Sequence, residues 1–113
     1  MSPDELSRFE ASAAAASRLL KAMAHDARLL VLCQLADGER QVSQIVTRLS
    51  QSALSQHLAV LRAEGLVATR RDGQSIYYRI ADPAVRAVIA TLAGIFCPPT
   101  DQETSNVDAD FAA

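Results

Sequence analysis

Apolar residues recur at helical spacing over most of this chain and alternate over one short stretch, with turn-forming residues between the regimes. Ser2-Pro3-Asp4-Glu5 reads as a helix start, Ser2 capping and Pro3 at the first helical position. That helix runs through the alanine-rich stretch Ala11 to Ala16 into Leu19, Leu20 and Met23. His25-Asp26 interrupts the pattern, and Asp26 is the expected cap of a second helix, Ala27 to Ala36, that stops at Asp37-Gly38. Its apolar positions Leu29, Leu30, Leu32, Cys33 and Leu35 nearly encircle it, so it is expected to be the most buried helix. Ser43 then caps a short third helix through Leu49, with Val42, Ile45, Val46 and Leu49 facing inward. A fourth helix starts at Ser50 and ends at Gly65, with Leu54, Leu58, Val60 and Leu61 inward and Gln51, Ser52, Ser55, Gln56 and His57 crowding its other face near the start. After Gly65, Leu66-Val67-Ala68 and Arg70-Arg71 lead to an Asp72-Gly73 turn and the alternating run Ile76 to Ile80, which predicts a hairpin. Asp82 and Pro83 open a last helix bearing Val85, Val88, Ile89, Leu92, Ile95 and Phe96; Cys97 closes it, and Pro98-Pro99 forbids its continuation.

The expected fold is mainly α with a two-stranded β-wing, in the order ααααββα: a winged helix-turn-helix. One domain, residues 1–99, accounts for all of these elements, and residues 100–113 form an acidic tail expected to be disordered. Short polar side chains at the start of the fourth helix suit both backbone phosphates and base edges. Alanines in the first helix let another helix come close, and Leu6, Phe9 and Leu20 give it something to bury; a second copy of the chain is one such partner.

The net charge of −2 changes meaning when mapped along the chain. Asp101, Glu103, Asp108 and Asp110 lie in the tail with no base, leaving eleven bases against nine acids, +2, up to Pro99. Arg62, Arg70, Arg71 and Arg79 stand against Glu64 and Asp72 in the reading unit, and local charge sets phosphate contact. The three acids of the first eleven residues are unlike a secretory signal, and no apolar run approaches the roughly 20 residues of a membrane span. The expected location is cytoplasmic.

The chain resembles the ArsR/SmtB family of bacterial dimeric repressors. The resemblance rests on Leu20-Lys21-Ala22-Met23-Ala24-His25 and Arg28-Leu29, on Ser50-Gln51-Ser52-Ala53-Leu54-Ser55-Gln56-His57-Leu58, on Leu61-Arg62 and Gly65-Leu66-Val67, and on Arg70-Arg71 leading to Tyr77-Tyr78. It implies a homodimer packed through the first and last helices, with the fourth helix in the major groove of operator DNA. Carried over by position, Gln51, Ser52, Ser55, Gln56 and His57 become candidates for base and phosphate contact, and Arg70, Arg71 and Gln74 for the backbone or adjacent minor groove. For His57, a surface or dimer-side place with no DNA role is the alternative. Two departures stand out: Asp26 occupies a position where the family often has proline, and the passage into Ser50 is about two residues shorter than the family's helix-turn-helix.

Many relatives sense a metal, but the last helix from Ala84 to Phe96 has no Asp, Glu, His or Cys, and Cys33 has no cysteine neighbour. A four-ligand site within one subunit is hard to build from these residues, and no cofactor is expected. Cys33 and Cys97, 64 positions apart, remain. Taken alone they read as apolar fillers. The subgroup that includes BigR, SqrR and HlyU has a cysteine at each of these places, here Leu30-Val31-Leu32-Cys33 and Gly94-Ile95-Phe96-Cys97. That resemblance implies a dithiol switch, closed as a polysulfide or disulfide bridge by reactive sulfur species or oxidants. A metal-responsive repressor, a thiol oxidoreductase and a winged-helix module that binds only protein are the competing readings. The oxidoreductase reading lacks a Cys-x-x-Cys pair and any histidine at local spacing from either cysteine.

Overall fold

The computed structural model describes residues 1–97. They form α1 (Pro3–Met23), α2 (Asp26–Ala36), β1 (Arg40–Gln41), a single 3-10 turn (Val42–Gln44), α3 (Gln51–Ala63), β2 (Val67–Asp72), β3 (Ser75–Ile80) and α4 (Pro83–Phe96). The architecture is mostly helical with a small antiparallel wing, as expected. The acidic tail lies outside the described residues, as do Pro98 and Pro99. No helix among the described residues is long and apolar enough to cross a membrane.

Caps account for most of the boundaries. Ser2 Oγ accepts from Glu5 N at 3.2 Å, Ser50 Oγ from Ala53 N at 3.1 Å, and Asp82 Oδ1 from Ala84 N at 2.9 Å, each answering a first-turn N–H that has no partner within its helix. At the far end of α3, Gly65 takes φ 78°, Leu66 N bonds Leu61 O at 2.9 Å and Gly65 N bonds Arg62 O at 3.0 Å. This is the Schellman arrangement, with Leu61 and Leu66 both buried beneath it. His25, rather than Asp26, caps α2: its Nδ1 accepts from Ala27 N at 3.1 Å, and Asp26 becomes the first helical residue.

The third helix expected from Ser43 to Leu49 does not form. The chain makes one 3-10 turn and then crosses to Ser50 without regular structure. Ser50 is extended (φ −65°, ψ 157°) and caps α3, so a helix reaching Leu49 would leave no residues for a turn. Ile45 still reaches the core, but Val46 is 78% exposed instead of facing inward. The residues just before it add a strand that the sequence did not announce. Arg40 pairs with Tyr78 and Gln41 with Tyr77, making the sheet three-stranded in the order β1-β3-β2.

In the wing, Asp72 pairs with Ser75, so the loop is Gly73-Gln74, one residue later than Asp72-Gly73. Only the first loop residue has positive φ, the requirement of a type II′ turn. Leu32 and Leu35 of α2, Leu54, Leu58 and Leu61 of α3, and Val85 and Ile89 of α4 meet Leu66, Val67 and Ile80 in one core. Val60 lies outside the stripe of α3 and Leu30 is 62% exposed on α2, so α2 is not enclosed on all sides. Leu32→Ala should cost about 2–5 kcal/mol in urea unfolding, and Val46→Ala less than about 0.5 kcal/mol. A loss at Val46 as large as at Leu32 would restore the inward-facing helix.

Candidate functional site

The start of α3 presents Gln51, Ser52, Ser55 and Gln56 to solvent on one side, while Leu54, Leu58 and Leu61 anchor the opposite side. The first-turn N–H groups point the same way and carry the positive end of the helix dipole. This nose can donate to phosphate oxygens through backbone and hydroxyl groups, and Gln can meet an adenine edge with two bonds.

His57 does not join that face. It is half-buried, and its ring lies 4.3 Å from the ring of His25, centroid to centroid, at 49°. Burial holds its pKa below the ordinary histidine value, and the charges of His25 and Arg28 act in the same direction. A group whose pKa falls on folding contributes full stability above its unfolded value and loses it as pH drops through that value.

The wing separates the two arginines that the sequence put together. Arg70 makes a bidentate pair with Glu39, its Nε lying 2.8 and 3.0 Å from the two carboxylate oxygens, and its guanidinium stacks 4.4 Å above the Tyr77 ring. That pairing lowers the Glu39 pKa and raises that of Arg70. Arg71 and Gln74 are exposed, and no ion pair within 4.0 Å engages Arg71 among the described residues. Arg71 is therefore the freer cation for a phosphate, whereas Arg70 fastens β2 to the segment before β1. Glu39 lies 31 positions from Arg70, and nothing in the local sequence marks the pair.

Cys33 lies half-buried against the core on α2, and Cys97 is exposed as the residue capping α4. Both are free thiols. Burial pushes the Cys33 thiol up, and negative charge on Cys97 and then on Asp37 pushes it further. The helix that carries Cys33 packs against the helix that Cys97 caps, 64 positions further along the chain. Among the described residues, no three of His, Cys, Asp and Glu gather closely enough to hold a metal ion.

A family model for bacterial regulatory proteins of the arsR family matches residues 25–69. The HTH-type transcriptional regulator YgaV of Escherichia coli is 50% identical over 97 residues, covering 83% of this chain and 98% of that protein. The chain belongs to the arsR family. It is a DNA-binding transcriptional regulator, and the family is one of regulators rather than enzymes. Among solved structures, reduced HlyU from Vibrio cholerae is 46% identical with a TM-score of 0.76, covering 80% of this chain and 98% of that one. The transcriptional repressor BigR from Xylella fastidiosa is 34% identical with a TM-score of 0.75, covering 88% and 100%. These relatives place this arsR-family regulator in the BigR/HlyU subgroup.

Two residues that sequence reasoning passed over belong to this region: His25, which caps α2 and packs on His57, and Gln34, which follows Cys33 and interrupts an otherwise apolar run. Because the His57 pKa is lowered in the folded chain, unfolding free energy should fall between about pH 7.5 and about pH 5.5, and His57→Gln should lessen that fall. An equal fall in unfolding free energy between the two pH values for both proteins, from denaturant titrations, would contradict the His57 placement.

Proposed function

We propose that this regulator is a homodimeric repressor whose operator affinity is set by a Cys33/Cys97 dithiol switch. What supports the reading is a pair of free thiols on two helices that pack together, one exposed at the end of α4 and one half-buried in α2. Cys97 is the first nucleophile: it is accessible, whereas burial keeps more of Cys33 protonated. The Cys97 thiolate takes a sulfane sulfur from a polysulfide, which leaves one sulfur shorter. The Cys33 thiolate then attacks the Cys97 persulfide and expels hydrosulfide, closing a disulfide. If Cys97 carries one more sulfur, the same attack leaves a trisulfide with a longer reach. The two thiols lose two electrons and the sulfane sulfur is reduced. Peroxide, giving a sulfenic acid on Cys97 before ring closure, is the related oxidant input.

The apolar surface that one chain leaves uncovered supports dimerisation. Leu6, Phe9 and Leu20 on α1 and Ile95 and Phe96 on α4 are each at least half exposed. A groove of about 200 Å³ between the helices is lined by Leu20, Met23, Ala24, Leu29, Val88 and Leu92. A second copy packing α1 and α4 against their counterparts covers these surfaces and makes residues 1–99 one DNA-binding and dimerisation unit. Two α3 helices then face successive major grooves about 34 Å apart, a register that a small rotation spoils. Gln51, Ser52, Ser55 and Gln56 read the groove, Arg71 and Gln74 touch the flanking backbone, and Arg70 and His57 hold the reading elements in place. Operator binding makes the site of action cytoplasmic.

A bridge from Cys33 to Cys97 ties the α2 side of the reading unit to the dimer-forming helix. A coupling of about 1–3 kcal/mol is enough to lower operator affinity several-fold to a hundred-fold. Gln56→Ala should weaken operator binding by about 1–3 kcal/mol with unchanged unfolding and oligomeric state; unaltered binding would remove Gln56 from the contact set. Cys33→Ser and Cys97→Ser should each bind operator yet keep it in the presence of polysulfide, Cys33→Ser stopping at a persulfide on Cys97. Normal release by either variant in a fluorescence-anisotropy titration would rule out the two-cysteine mechanism.

A further inference from the structure

Gln34 is one residue beyond Cys33, and its side chain does something unusual for an α2 residue. Its Nε2 donates to Val46 O at 2.8 Å and its Oε1 accepts from Val46 N at 2.8 Å, so a single amide takes both backbone groups of one residue. The pattern is the two-way exchange of an antiparallel pair, with a side chain standing in for a strand. Val46 lies in the passage from the 3-10 turn to Ser50, where no helix forms. Its side chain is exposed, so packing does not hold it there. Ile45 is the buried anchor before it, and Leu49 N bonds Thr47 Oγ1 at 3.0 Å just after it, one residue before the cap of α3. The same residue is tied at its backbone: Gln34 O accepts from Arg40 Nε at 3.1 Å, and Arg40 pairs with Tyr78 in the wing sheet. One turn of α2 therefore holds the approach to α3 through its side chain and the base of the wing through its carbonyl.

We propose that Gln34 is the positioning residue that carries a change at Cys33 to the DNA-reading helix, through its two-way grip on Val46. The proposal rests on the thiol-switch reading. Hydrogen bonds weaken steeply with stretching and misalignment. When bridging draws on the turn of α2 that carries Cys33, the amide of Gln34 either drags Val46 or lets it go, and in both cases the segment entering Ser50 loses its fixed place. A helix before α3 would have made this contact superfluous; here the short passage has no other side chain holding Val46 among the described residues.

The test uses the full chain, with bridging followed by intact mass and operator binding measured in reduced and bridged states. Gln34→Leu removes both bonds, and Gln34→Glu retains the acceptor for Val46 N but offers no donor to Val46 O. Both variants should still form the bridge. The several-fold to hundred-fold affinity gap between the two states should collapse towards unity in Gln34→Leu and shrink in Gln34→Glu. Should Gln34→Leu fail to fold, amide exchange at Val46 in the unsubstituted protein reads the same contact: protection when reduced, lost on bridging. A full affinity gap in a bridged variant, or equal Val46 protection in both states, overturns the role of Gln34 and leaves the switch intact. Absence of any bridge in the unsubstituted protein overturns the switch itself, and the role of Gln34 with it.

Discussion

The shortness of the passage from Gln44 to Ser50 is the constraint around which the DNA-reading half of this molecule is built. Because Ser50 must be extended to cap α3, a helix cannot end immediately before it, and the backbone groups that a helix would have satisfied need other partners. Gln34 supplies both for Val46, Thr47 supplies one for Leu49, and burial of Ile45 fixes the segment from the core side. The reading helix is consequently held from α2 by a side-chain amide and from below by Leu54, Leu58 and Leu61. That division leaves the polar nose of α3 exposed while its opposite side is buried.

The C-terminal half of α2 gathers several ties into a few residues. Cys33 lies half-buried against the core, Gln34 holds the passage to α3, Arg86 of α4 donates to Ala36 O at 3.0 Å, and Arg40 links back to Gln34 O from the strand that pairs with the wing. This part of α2 is thereby tied to the passage before α3, to β1 of the sheet and to α4. Burial, and then negative charge on Cys97 and Asp37, pushes the Cys33 thiol up, while Cys97 is exposed to solvent.

Local chemistry was the most legible part of the sequence. Ser2-Pro3, Ser50, Gly65 and Asp82-Pro83 mark helix ends through contacts spanning only a few residues, and the structure has them where they were expected. The polar nose of α3 was visible for the same reason. The helix from Ser43 to Leu49 was misread because Val42, Ile45, Val46 and Leu49 have helical spacing, a pattern that ignores whether a turn has room to follow. β1 is two residues long and is defined only by its partner, so no periodicity could disclose it. Arg70, paired with Glu39, and His57, whose ring tilts against that of His25, have partners 31 and 32 positions away that the local sequence does not mark. Gln34 did leave a trace, a polar residue within the apolar run of α2, but its partner Val46 lies where a helix was expected.

The central claim is that closing a bond between Cys33 and Cys97 releases DNA. It is tested most directly by intact mass of the protein after separate exposure to polysulfide and to peroxide, read beside operator affinity on the same samples. A bridged species should form, a disulfide after peroxide and a disulfide or trisulfide after polysulfide, and its appearance should parallel the loss of operator binding. Complete bridging with operator affinity unchanged, or loss of binding while both thiols stay free, would contradict it.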